Sequence, residues 1–157
     1  MGSTVTIRTA EAKDIKSIFD IESKSFGNEA FNLRQFKYLV KSPSSLFQVA
    51  LVDNQVAGYL VSLIRKNSKQ LRMYSLAVNE DFRGQGIAQK LIDYIKQVAR
   101  DNGYVFVTLE VREHNQLAIE LYKKNGFVQI AFRLNYYALG EHALIMRCPI
   151  YIDNLQP

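Results

Sequence analysis

The stretch Tyr74–Ala88, YSLAVNEDFRGQGIA, constrains the fold of this chain most. Leu76, Ala77 and Val78 close an apolar strand. Asn79, Glu80 and Asp81 make a polar turn, and Arg83, Gly84, Gln85, Gly86, Ile87 and Ala88 lead into a helix. Ile87, Leu91, Ile95 and Val98 then recur at helical spacing and give that helix one apolar face.

The opening turn of such a helix presents unpaired backbone N–H groups and the positive end of the helix dipole. Gly84, Gly86 and Ala88 are small enough to let an anion approach the backbone, and Arg83 adds a positive charge. Together they form a cradle for a phosphate or pyrophosphate. Two common phosphate motifs are excluded. Gln89 stands where a GxGxxG pattern needs its third glycine, and no GxxxxGK(S/T) occurs in the chain. On these residues alone, a tight turn into a core helix stays open as the alternative.

The rest of the chain reads as one α/β domain over residues 1–150, with a mixed sheet and a short tail at 151–157. Val5 and Ile7 alternate with polar residues as a first strand. Thr9 is placed to cap a helix whose apolar face is Ile15, Ile18 and Phe19. Phe26–Phe31 breaks that helix, and a second runs from about Asn32 to Lys41, before Pro43. Ser45–Val52 and Val56–Ile64 form a hairpin around Asp53-Asn54, and Leu71–Val78 leads into the cradle. The helix after it spans about Gly84–Asp101 and stops at Asn102-Gly103. Tyr104–Val111 is almost continuously apolar, as in a strand covered on both faces. Asn115 caps a short helix that ends at Asn125-Gly126, and strands at about Phe127–Tyr136 and Ala143–Ile150 close the chain.

Composition removes several classes. With 48% hydrophobic and 22% charged residues the chain is not disordered. No apolar run approaches the roughly 20 residues that cross a bilayer, and no signal-peptide pattern opens the sequence, so a membrane partner is not expected. Met1–Thr6 formally matches an N-myristoylation pattern, but Val5 and Ile7 begin a core strand and leave little free tail. The single Cys148 excludes an internal disulfide and fits a reducing cytoplasm; in an apolar strand it reads as a small buried hydrophobe rather than a nucleophile. His114 and His142 lack metal-ligand spacing, so no metal is expected. The net charge of +5 suits a polyanionic ligand. The basic residues are scattered, without the tract that a direct nucleic-acid partner would need.

Arg83-x-x-Gly86-x-Ala88 after an apolar strand resembles the acetyl-CoA pyrophosphate loop of the GCN5-related N-acetyltransferases (GNAT), usually Q/R-x-x-G-x-G/A. Leu109-Glu110-Val111-Arg112, Asn115, Ala118-Ile119, Leu121-Tyr122 and Gly126-Phe127 resemble the N-terminal protein acetyltransferases within that superfamily. So do Arg133, Asn135-Tyr136-Tyr137 and Ala143-x-Ile145-Met146, most of all the bacterial type that acetylates a ribosomal-protein N-terminus. The resemblance implies a single-domain GNAT fold, a mixed central sheet flanked by helices in the order β-α-α-β-β-β-α-β-α-β-β. It also implies acetyl-CoA as acetyl donor and a protein N-terminus as acceptor.

Carried onto this sequence, the resemblance assigns Arg83–Ala88 to the pyrophosphate and the backbone of Leu76, Ala77 and Val78 to the pantetheine arm, with the Val78 N–H facing the thioester carbonyl. It also implies that Asn115 contacts the same arm, that Tyr122 protonates the coenzyme A sulfur, and that Glu110 is the general base. Each also has a plain structural reading. Tyr122 could be a core tyrosine, Asn115 a helix cap, and Glu110 an acid paired with Arg72 or Arg112. Phe26, Phe31, Tyr136 and Tyr137 would flank the amine entrance, although Tyr136 could equally be core. Gly27-Asn28 stands where close relatives carry a Pro-Trp pair. A small amine as acceptor, or a coenzyme A-binding module without catalysis, are the competing functions.

Overall fold

The computed structural model describes residues 4–27, 30–137 and 140–151. The pattern around Gly2, Asn28 of the entrance loop and the tail beyond Tyr151 lie outside them. The elements are β1 (Val5–Thr9), α1 (Ile15–Phe26), α2 (Leu33–Lys41), β2 (Ser45–Val52), β3 (Gln55–Ile64) and β4 (Gln70–Val78), followed by α3 (Ile87–Asp101), β5 (Phe106–Arg112), α4 (Gln116–Lys124), β6 (Val128–Arg133) and β7 (Ala143–Pro149). This is the order that the family resemblance implies. Two compact units share them: Met1–Leu63 with Tyr74–Tyr94, and Ile64–Met73 with Ile95–Pro157.

In the first unit the strand order is β1-β2-β3-β4. β1 pairs antiparallel with β2, from Val5↔Val52 to Thr9↔Gln48. The β2–β3 hairpin turns on Asp53 (φ 50°) and Asn54 (φ 65°). Two left-handed residues in a two-residue loop match the right-handed twist of the flanking strands. Thr9 belongs to β1 and does not cap α1. A short 3-10 turn at Ala12–Asp14 precedes the helix, with a reciprocal cap between Glu11 and Asp14. Asp14 also accepts a fork from Arg8, at 2.7 and 2.9 Å. Burial pushes the Asp14 carboxyl up, but the Arg8 fork and the Glu11 N–H outweigh it and hold it below its usual range. Ile15, Ile18 and Ile21 of α1 and Phe36 and Leu39 of α2 bury themselves with Phe47, Val49, Tyr59, Val61 and Ala77 of the strands.

The exit of β4 is fixed at β3. The Asn79 N–H donates to the Ala57 carbonyl at 2.7 Å. A methyl group on Gly58 would lie 3.0 Å from the Ala77 carbonyl oxygen and 3.0 Å from Ile87 Cγ2. Only a residue without Cβ lets β3, the end of β4 and the first turn of α3 come this close. α3 starts at Ile87 rather than Gly84, because Gly84 (φ 82°) and Gly86 (φ 74°) adopt a left-handed backbone that a right-handed helix cannot include. Ile87, Leu91, Ile92, Ile95 and Ala99 form its buried stripe.

In the second unit the order is β4-β5-β7-β6. β4 and β5 are parallel from Gln70↔Phe106 to Met73↔Leu109, and the β5–β7 and β6–β7 pairs are antiparallel, so the sheet is mixed. β5 begins at Phe106, where its parallel pairing with Gln70 of β4 starts. It is not covered equally on both faces. Val107, Leu109 and Val111 are buried, while Phe106, Thr108, Glu110 and Arg112 are half-buried. That alternation puts Glu110 on the wetter face. β6 ends at Arg133 because Leu134 and Asn135 (φ 52°) form a turn. No helix among the described residues is long and apolar enough to cross a membrane.

Gly58→Ala should lower stability by about 1–3 kcal/mol. At about 2–4 °C per kcal/mol for a chain of this size, the melting temperature should fall by several degrees. An unchanged melting temperature would show that the β3–β4 approach can relax.

Candidate active site

In the first unit the cradle keeps the features read from sequence. The Gly86 carbonyl accepts the first helical bond, from the Lys90 N–H at 3.0 Å. The N–H groups of Ile87 and Ala88 therefore start α3 without carbonyls one turn back. Arg83, Gly84, Gln85 and Gly86 are exposed, Ala88 is half-buried and Ile87 is core. Among the described residues the Arg83 guanidinium makes no ion pair. Arg83 and Val78 border one groove of about 740 Å³, which Ser17, Asp20 and Lys24 of α1 also line. Leu76 and Val78 are half-buried and Ala77 is buried. A left-handed glycine turn, a helix start and an uncommitted arginine fit a phosphate-bearing group.

The aromatic residues assigned to the entrance divide by environment. Phe26 and Phe31 are half-buried against the α1–α2 core. Phe31 stacks on Tyr74 of β4, with centroids 5.0 Å apart and planes at 16°, and meets Phe36 edge-on at 5.8 Å. Gly27 ends α1 with φ 55°.

In the second unit Glu110 is held by Arg72 of β4. Nε donates to Oε2 at 3.1 Å and Nη2 lies 3.0 Å from Oε1. The Glu110 side chain keeps 18% of its surface exposed. This is the Arg72 pairing left open by the sequence. Arg112 instead pairs with Glu141 and sets its guanidinium 4.1 Å over the Tyr137 ring. A carboxylate has about four lone-pair positions, so the Arg72 fork leaves Glu110 able to accept another proton donor. Arg72 Nη2 also donates to the Tyr136 hydroxyl at 3.2 Å. Tyr136 is 39% exposed and so is not core. It meets Tyr137 edge-on at 5.0 Å. Glu110, Arg72, Tyr136, Tyr137 and Arg112 thus form one cluster of alternating charges and rings.

Tyr122 sits in the last turn of α4. Its carbonyl ends the helix by accepting the N–H groups of Asn125 and Phe127, each at 3.0 Å. Its ring packs against the buried Phe127, 5.7 Å away at 60°. Burial, and then the neighbouring Tyr137, push the Tyr122 hydroxyl up to about 12. Tyr137 is likewise pushed up to about 12, chiefly by burial. Both stay protonated at neutral pH. Asn115 caps α4 by accepting the Ala118 N–H at 3.2 Å, which leaves its amide NH₂ free of the cap. Cys148 is buried and donates to the Asn125 carbonyl at 3.6 Å. His142 accepts the Asn135 N–H and His114 lies beside Glu113.

One acid escaped the sequence reading. Glu22 is 2% exposed, on the apolar face of α1. Its signal was present, because it follows Ile15, Ile18 and Phe19 at helical spacing and so falls on the stripe that faces the core.

The acetyltransferase (GNAT) family model matches residues 13–127. An N-alpha-acetyltransferase of Saccharolobus solfataricus is 34% identical over 160 aligned residues, covering 95% of both chains. A putative ribosomal protein bS18-alanine N-acetyltransferase of Bacillus subtilis is 29% identical, covering 93% of this chain and 96% of its own. The crystal structure of the Escherichia coli ribosomal-protein-S18-alanine N-acetyltransferase superposes with a TM-score of 0.84 at 25% identity, covering 98% of this chain and 100% of that one.

Titrating the folded protein by tyrosinate absorbance should show two phenols that ionise near 12, well above the usual value near 10. Tyr122→Phe and Tyr137→Phe should each remove one of them. Because both values are raised, the stability these groups contribute is complete below about pH 10 and lost as pH climbs towards 12. An ordinary titration with every phenol near 10 would contradict the burial of both rings.

Proposed function

This chain belongs to the acetyltransferase (GNAT) family, and we propose that it moves the acetyl group of acetyl-CoA to the N-terminal α-amino group of a protein, with a ribosomal protein as the first acceptor to test. The observation that carries the acceptor class is the full-length similarity to N-alpha-acetyltransferases. When bound, acetyl-CoA supplies a thioester whose carbonyl carbon is open to attack by an amine. We assign the pyrophosphate to Arg83, Gly84, Gln85, Gly86, Ile87 and Ala88. The pantetheine arm goes to the backbone of Leu76, Ala77 and Val78 and to the Asn115 amide.

The α-amine attacks directly in a ternary complex. A free α-amino group has a pKa near 8, so the base has little to do at neutral pH. Glu110 takes the proton that the nitrogen releases as the new N–C bond forms, on a lone pair that Arg72 does not use. The Val78 N–H donates to the carbonyl oxygen as charge gathers there. Tyr122 gives its hydroxyl proton to the sulfur as the C–S bond breaks, so a neutral thiol leaves; the phenol holds that proton at neutral pH. We assign Phe26 and Phe31 of the first unit, and Tyr136 and Tyr137 of the second, to acceptor binding. The exposed Tyr136 hydroxyl, set by Arg72, suits a polar peptide backbone.

Acetyl transfer to a panel tests the acceptor: peptides with free N-termini, the same peptides blocked but carrying lysine, and polyamines, with mass spectrometry locating the label. Label on the free α-amine is expected. Label only on lysine or polyamine would move the acceptor to another class. Tight acetyl-CoA binding without turnover on any amine would favour a non-catalytic module. Tyr122→Phe should lower turnover roughly ten- to a thousandfold with little change in acetyl-CoA affinity. Arg83→Ala should weaken acetyl-CoA binding; unchanged affinity would remove Arg83 from the cradle.

A further inference from the structure

Glu22 is a carboxylate in the core of the first unit, facing donors that carry no charge. Oε1 accepts the Tyr59 hydroxyl of β3 and, at 3.0 Å, the Ser75 hydroxyl of β4. Tyr59 and Ser75 also lie 3.2 Å from each other. Oε2 accepts the backbone N–H of Phe31 at 3.1 Å. Tyr59 is fully buried. Burial first, and then the Glu22 carboxylate, drive its hydroxyl far above the usual tyrosine range, so it is locked as a donor.

Burying a carboxylate costs desolvation, and an apolar side chain at this point of α1 would pack the helix without that cost. What an apolar side chain cannot do is accept an N–H from the segment that leads into α2. Phe31 is held on both sides. Glu22 takes its N–H, and the next residue, Asn32, begins α2 with a reciprocal cap to Gln35, at 2.9 and 2.8 Å. The backbone bond thereby fixes where the Phe31 ring stacks on Tyr74, which is 37% exposed.

We propose that Glu22 is a positioning residue for the acceptor. Through the Phe31 N–H it sets the Phe31–Tyr74 shelf, and Tyr59 and Ser75 fix the carboxylate that does so. The inference rests on the assignment of Phe31 to the acceptor entrance. Glu22 touches neither substrate, and its effect falls on acceptor binding rather than on acetyl-CoA.

Glu22→Met tests this, because it keeps most of the side chain's length and volume and removes both carboxylate acceptors. Its KM for whichever amine the unmodified chain acetylates should rise about tenfold, with the KM for acetyl-CoA within about twofold. Amide exchange at Phe31 should quicken while β2 and β3 amides keep their protection. Should this variant fold poorly, Tyr59→Phe leaves the carboxylate and the Phe31 bond in place and loosens only the anchor. It should give the same split at smaller size. Both KM values rising together, an unshifted acceptor KM, or unchanged exchange at Phe31 would each overturn the positioning role. An unmodified chain that acetylates no amine overturns the proposed function and this inference with it. Turnover by the unmodified chain with an unshifted acceptor KM in the variant overturns this inference alone.

Discussion

The close approach at Gly58 of the β3 and β4 backbones and the Ile87 side chain of α3 is the constraint on which the glycine turn depends. The end of β4 must lie hard against β3 for the Asn79 N–H to reach the Ala57 carbonyl. The chain then has only the short turn from Glu80 to Gly86 in which to reverse into α3. That turn succeeds because glycine stands at both left-handed positions, where a side chain would be strained. Arg83, immediately before it, is left exposed beside the groove. Packing at one glycine thus sets the direction of the strand end, the start of the helix and the placement of a cation.

Two glutamates show how environment assigns different work to one functional group. Glu22 is closed off from water and meets hydroxyls and one amide N–H, so it can fix a backbone but exchanges poorly with anything outside. Glu110 meets a guanidinium, keeps partial exposure and retains unused lone pairs, so it can accept a proton from an incoming group. The difference arises from the element beneath each residue. A helix stripe points Glu22 into the core, and strand alternation points Glu110 to the wetter face of β5.

Tyr122 depends on a similar local device. Its own carbonyl closes α4, and the chain then passes through Gly126 (φ 88°), where an added methyl would sit 3.4 Å from the Cys148 sulfur. Phe127 follows directly and packs against the Tyr122 ring. The helix end, the glycine and the phenylalanine form one unit that holds the phenol half-buried and protonated. That is why the short pattern Leu121-Tyr122 with Gly126-Phe127 is informative in the sequence.

The hairpin at Asp53-Asn54, the cap at Asn115 and the glycine turn before α3 were determined by the sequence alone, because each rests on interactions within a few residues. Periodicity, turn residues and capping side chains are local, and neighbours in the chain are enough to specify them. Boundaries were less secure where long-range bonds compete. Thr9 has the chemistry of a cap, yet it was drawn into the β1–β2 ladder, and β5 begins only where Phe106 meets Gln70 of β4. Only the tertiary structure decided which partner each charged group would take. Glu110 had Arg72 and Arg112 equally near in prospect, and the parallel β4–β5 register gave it Arg72, while Glu141 drew Arg112 away. The Glu22 site assembled residues from α1, β3, β4 and the start of α2, a set whose members are far apart in sequence and whose hydrogen bonds exist only once the core has closed around them.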